Sequence, residues 1–294
     1  AGGPRHFPPV STSMRIVAWQ HPVNETLIRA LEDTFPGSVQ RASLVDTMQV
    51  LLDGHADCAL VPSDQALSSQ DQVDILPAVG ISSWTNPWMS LVVGDQLGAA
   101  TMGIMHAPEG RSAALLAGLV LKEHYNTVVA LHEQEQLPEG LAEHALVTVP
   151  LADADGGDGA AAIAADSGEG VALDLGQEWS ELAGYPFVWS LFVWRKDENH
   201  EDAIRVIRGV AARLDRDRVE LERSWDLDDV QSDFFLNHVR VAVDDLAIAS
   251  LTQFCDHLYY YGITEEILPV QFASLPKDDQ DDFEEDGLTG EIDE

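Results

Sequence analysis

Basic side chains are scarce in this sequence. Its 294 residues hold 16 lysines and arginines against 51 acidic residues, a formal charge of −35, and only Lys122, Lys196 and Lys277 are lysines. Binding a phosphate backbone takes clustered Lys and Arg, so the composition excludes a nucleic-acid partner. Cysteine is nearly missing too. Cys58 and Cys255 stand apart from any metal or redox spacing, which excludes a disulfide framework. The most apolar stretches, 113–121 and 185–194, fall far short of the ~20 residues a membrane-spanning helix requires. Residues 1–13 contain three prolines and no apolar core of a secretory signal, so they read as a flexible leader on a soluble, cytoplasmic protein. No HExxH set, GxSxG elbow, Gly-rich phosphate fingerprint or internal repeat is present.

What is abundant is acid and apolar surface. Nine Phe, seven Trp and five Tyr with 45% hydrophobic residues suffice for a full core. Residues 277–294 carry −9 of the charge and read as a disordered acidic tail, which leaves −26 on the body. So much like charge is best tolerated at high ionic strength, because in about 1 M salt the Debye length is roughly 3 Å. A salt-adapted protein of a cytosol of high ionic strength is therefore expected, the alternative being an ordinary acidic cytosolic protein with an acidic tail. The pairs Asp228-Asp229 and Asp244-Asp245 read as solvated helix faces.

The patterning predicts an α/β protein. Strands are expected at 15–19, 38–41, 57–61, 72–79, 89–93, 101–105, 127–131, 160–165, 171–173 and 187–194. Helices are expected at 24–35, 43–52 with Ser43 as its N-cap, 109–124, 203–223 and 243–261. The order implies two lobes: a discontinuous first lobe of 14–95 and 192–276 and a second of 96–191, with crossings near 93–98 and 189–195. A ligand cleft belongs between such lobes.

Four segments carry candidate chemistry. The turn Trp19-Gln20-His21-Pro22-Val23-Asn24 follows the opening strand and either offers polar ligand contacts or simply caps the next helix. Ser63 ends the run Leu60-Val61-Pro62-Ser63 and is a helix cap or a ligand group. The loop 81–90, with Trp84, Asn86, Trp88 and Ser90, is either a pocket wall for a ring-shaped ligand or a structural loop. Arg111 and Ser112 open the strongest helix and, with its N–H groups, would receive a carboxylate unless Arg111 pairs with Glu109.

Val171-Ala172-Leu173-Asp174-Leu175-Gly176-Gln177-Glu178-Trp179, followed by Gly184-Tyr185-Pro186-Phe187-Val188-Trp189, resembles the DLGxxW and GLPFVFA signature of the chorismate dehydratase branch of the menaquinone-biosynthesis (futalosine-route) family. Leu60–Ser63, Ile75-Leu76-Pro77 with Ile81-Ser82-Ser83, Asn86–Leu91 and 158–166 resemble the family's LVPS, ILP and ISS, GPVxSV and DAALLIGD stretches in the same order. The resemblance implies a two-lobed type II periplasmic-binding-protein-like fold and loss of water from chorismate to give 3-[(1-carboxyvinyl)oxy]benzoate, with no metal or organic cofactor. It also implies a catalytic set of Asn24, Ser90 and His21 and a substrate-binding set of Ser63, Asn86, Arg111 and Ser112. The opening motif departs from the family's SYLN: its Asn aligns with His21 unless the turn shifts to use Asn24. A non-catalytic carboxylate-binding protein of the same fold, or a dihydroxynaphthoate synthase-like member, are the alternatives.

Overall fold

The computed structural model describes residues 14–93, 101–106, 108–133, 145–146, 171–196 and 201–274. The expected leader, acidic tail, strand at 160–165 and the 158–166 stretch lie outside the described residues. The chain builds two sheets. Strand β1 (Ile16–Trp19) is buried along its whole length and is flanked in parallel by β2 (Val39–Ala42) and β3 (Cys58–Pro62). Parallel neighbours need crossover helices. These are α1 (Glu25–Thr34), which buries Leu27, Ile28 and Leu31, and α2 (Leu44–Leu52), whose N-cap Ser43 accepts from the Asp46 N–H at 3.1 Å. Gly37 and Gly54, both at φ 76°, let the chain turn out of these helices.

The short α3 (Ser63–Ser68) leads to β4 (Val73–Ser83), and β10 (Phe187–Arg195) runs antiparallel between β3 and β4. Eight of the nine β10 residues are buried, as a near-continuous apolar run at the centre of a covered sheet demands. The first sheet is completed by β11 (Arg240–Ala242) at the β4 edge. Register shifts between β4 and β10 mark bulges, and they accommodate Pro77 and Ala78, the latter at φ 72°. These bulges carry β4 on to Ser83, past the end expected at residue 79.

The second sheet has the order β7-β6-β8-β5-β9, with β5 (Ser90–Val93), β6 (Thr101–His106), β7 (Val128–Glu133), β8 (Ala145–Leu146) and β9 (Val171–Asp174). Helix α4 (Arg111–Tyr125) follows β6, and α5 (Leu175–Ala183) follows β9. The crossings expected near 93–98 and 189–195 fall earlier. Strand β5 already pairs with β9, and β10 already belongs to the first sheet, so the chain passes between sheets at 84–89 and 175–186. The reason is burial: the Phe187–Arg195 run fits only where both faces of a strand are covered.

Apart from β11, the described elements beyond β10 are helical: α6 (Glu201–Arg216), α7 (Arg218–Ser224), α8 (Asp229–Asp233), a π-helical turn Phe234–His238 and α9 (Asp245–Tyr260). The single helix expected over 203–223 breaks at Asp217. The bend lets the Arg218 guanidinium donate to the carbonyls of Phe235 and Val239, at 2.5 and 2.9 Å, tying α7 to the π turn. Among the described residues no helix is long and apolar enough to cross a membrane.

Candidate functional site

Where the two halves meet, the ends of β1 and β3 face the starts of α3 and α4. Glu109 and Ser112 each bond across this part of the seam. Glu109, in the 3-10 turn Pro108–Gly110 before α4, accepts from the Leu44 N–H at 2.8 Å and so caps α2 from the other half. Ser112 donates to Asp64 at 2.7 Å. Beside the Ser112–Asp64 bond lies a cavity of about 10 Å³ bordered by Trp19, Ser63, Asp64, Met89, Ser112, Phe187, Trp189 and Phe254. That is room for a single water. A ring-bearing ligand enters only if the halves part.

The opening turn splits the expected residues into two kinds. Asn24 is 0% exposed, and both ends of its amide are engaged: Nδ2 donates to the Trp19 carbonyl at 3.1 Å, and Oδ1 accepts from Ser190 at 2.7 Å. It pins β1 to β10 and presents nothing to a ligand, which corrects the expected catalytic assignment of Asn24. His21 is 6% exposed and stacks at 4.7 Å on Trp19, which borders the cavity. Its Nδ1 accepts from the Val23 N–H at 3.2 Å, and burial pushes its pKa from 6.5 down to about 3. The ring is neutral with its hydrogen on Nε2, a buried donor with no partner among the described residues.

Ser63 borders the cavity with its hydroxyl donated to the Val188 carbonyl at 2.6 Å. Ser112 borders it from the other half, and Arg111 beside it is exposed at the first position of α4. Ser90 is buried in β5 opposite Asp174, and among the described residues its hydroxyl makes no hydrogen bond. Asn86 lies outside the cavity, in the crossing loop. Its N–H donates to the Asp174 carboxylate at 2.8 Å, its Oδ1 accepts from the Trp88 N–H at 3.1 Å, and its buried Nδ2 has no partner among the described residues.

The Asp174-Leu175-Gly176 motif thereby acquires a structural reason. Asp174 caps α5 through the N–H groups of Gly176 and Gln177 while holding the crossing loop through Asn86. Burial raises its pKa against the pull of those three N–H groups. A Cβ on Gly176 would sit 2.8 Å from the Thr85 carbonyl carbon, so only glycine lets loop and helix touch. Trp179 is fully buried, donates to Ser250 at 3.0 Å and meets Phe187 and Phe254 edge-on. The signature is thus the clasp between the halves and the wall behind the cavity.

Sequence reasoning missed Asp64. It is half-buried, accepts from Ser112, and has a pKa raised by burial despite that bond, the N–H groups of Asp64 and Gln65, and Arg111. Its signal was an acid directly after a strand-end serine, lost among 50 others. A larger groove of about 290 Å³ lies near the crossing loop, bordered by Asp174, Asp229, Asp233, His238 and Phe234. Three carboxylates make it a poor receptor for an anion, so the seam is the better candidate. Among the described residues no group of three or more His, Cys, Asp or Glu side chains is placed to hold a metal ion.

Comparison with known proteins agrees with the architecture. A family model described as menaquinone biosynthesis matches residues 14–260. No curated protein matches the chain in sequence. Among solved structures, protein AF1704 from Archaeoglobus fulgidus superposes with a TM-score of 0.59 at 15% identity, covering 87% of this chain and 100% of that one. The Candida albicans CA3427 gene product, described as having the generic periplasmic binding protein fold, superposes at 0.56 and 10% identity over 90% of this chain and 99% of its own. An ABC transporter structure from Parabacteroides distasonis gives 0.57 at 13% identity, over 91% and 99%. The fold is the two-lobed, type II periplasmic-binding-protein-like one.

Proposed function

The chain belongs to the menaquinone biosynthesis family, and from that premise we propose that it is a chorismate dehydratase-like lyase, removing water from chorismate to give 3-[(1-carboxyvinyl)oxy]benzoate. A role in menaquinone biosynthesis follows from the family itself. What carries the finer reading is the ordered match of the chorismate dehydratase signature, Asp174 to Trp179 and Pro186-Phe187-Val188; the unpaired buried Nε2–H of His21, stacked on the Trp19 that borders the cleft, suits an oxygen-rich anion.

In this reading the N–H groups opening α4, that of Ser112 among them, and Arg111 take one carboxylate of the substrate, while the Ser112 hydroxyl stays on Asp64. The His21 Nε2–H donates to a substrate oxygen as a neutral electrophile, filling the place of the family's opening-motif Asn. Ser63 and Ser90 orient the ring, while Asn86 acts through the loop that carries Ser90. The substrate's own carboxylate takes the ring C–H proton. Chorismate enters with the halves apart and is enclosed as they close, which excludes water from a site with aromatic walls.

Purified protein incubated with chorismate in about 1 M salt is expected to consume it and release the carboxyvinyloxybenzoate. No turnover alongside ligand-induced stabilisation would replace this reading with a carboxylate-binding protein of the same fold.

A further inference from the structure

We infer that Asp64 is the general acid of this cleft, giving its proton to the hydroxyl that leaves as water; the inference rests on the dehydratase reading above. Among the described residues Asp64 is the only carboxyl bordering the cavity, whose other walls are aromatic rings, Met89 and two serine hydroxyls. It sits at the start of α3 on one half, and Ser112 reaches it at 2.7 Å from the start of α4 on the other, so its carboxyl is positioned only when the halves are closed.

Charge makes the same point from another side. A dicarboxylate cannot easily be enclosed against a third, ionised carboxylate, whereas a protonated Asp64 removes the repulsion and supplies a donor. Burial favours that protonated form. Arg111 is the charged neighbour Asp64 feels, and Glu109 on the preceding turn is engaged with the Leu44 N–H.

The step balances as follows. The ring C–O bond breaks as the Asp64 carboxyl passes its proton to the departing oxygen, so water leaves. The ring C–H proton goes to the substrate's carboxylate, and its electron pair becomes the new ring π bond. Asp64 is left as a carboxylate, stabilised by the Ser112 hydroxyl, Arg111 and the N–H groups of Asp64 and Gln65. It regains a proton from solvent when the halves part.

The test is the pH dependence of chorismate turnover by the wild type, Asp64→Asn and Ser112→Ala. Asp64→Asn keeps the size and the bond to Ser112 but carries no acid; kcat should fall about 10²–10⁴-fold with KM changed only a few-fold, and the wild type's loss of kcat at high pH should vanish. Ser112→Ala removes a bond that favours the carboxylate, so that alkaline limb should move to higher pH. Asp64→Asn retaining wild-type kcat, or an alkaline limb unmoved in Ser112→Ala, overturns the inference while leaving the dehydratase reading intact. A wild type that does not turn over chorismate overturns both. Should Asp64→Asn fail to fold, the Ser112→Ala profile decides alone.

Discussion

His21 should make the protein acid-sensitive by a calculable amount. Its ring is buried, its Nδ1 is engaged by the Val23 N–H, and its pKa is pushed from 6.5 to about 3. Because the folded pKa is depressed, the unfolded chain takes up the proton first. The native state is therefore penalised as pH falls below 6.5, and the penalty stops growing only near pH 3. Each pH unit in that window costs about 1.4 kcal/mol, which sums to about 5 kcal/mol at its acid end. Other groups titrate over the same range, so the measurement must be a difference. Denaturant unfolding of the wild type and of His21→Gln, which cannot titrate, isolates the ring. From about pH 7.5 to about pH 5.5 the wild type should lose about 1.4 kcal/mol relative to the variant, and about 2.7 kcal/mol by about pH 4.5. Two parallel curves would refute the reasoning, since they require a native ring that protonates as readily as the unfolded one.

Two further substitutions test the seam. Gly176→Ala places a methyl 2.8 Å from the Thr85 backbone and should cost about 1–3 kcal/mol in denaturant unfolding, as overpacking does; an unchanged midpoint would mean that the loop and α5 do not touch. Arg111→Ala should weaken carboxylate binding by about 2 kcal/mol in calorimetry if the pair is charge-assisted, and equal affinities would place Arg111 outside the site.

The strands were legible because their physics is local. Ile16–Trp19 and Cys58–Pro62 are short apolar runs bounded by polar turns, the expected pattern of parallel strands covered on both faces. Ser43 as a cap was legible for the same reason. What was not legible depends on contacts between distant segments. The break at Asp217 exists because Arg218 must reach two carbonyls some twenty residues on, and nothing in the helical periodicity marks it. The crossings were misplaced because strand length and apolarity do not say which sheet a strand joins. The site divides likewise: Ser63 and Ser112 do border the cavity, but Asn24 proves to be a pin because its partner, Ser190, is distant in sequence.

The acidity acquires a location from the structure. A body of −26 repels an anion at long range, and that field is what salt screens. At short range, among the described residues, the cavity border carries no charged group besides Asp64, whose burial favours the neutral form. On the proposed reading, attraction is left to N–H groups, the His21 Nε2–H and Arg111, since the Ser63 and Ser112 hydroxyls are already donated to Val188 and Asp64. Such contacts act within a few ångströms in a partly dry site, where added salt weakens them little. On the dehydratase reading proposed above, a surface of one sign and a cleft of short-range donors would work together best in a salty bulk, which hides the first, and with the halves closed, which protects the second.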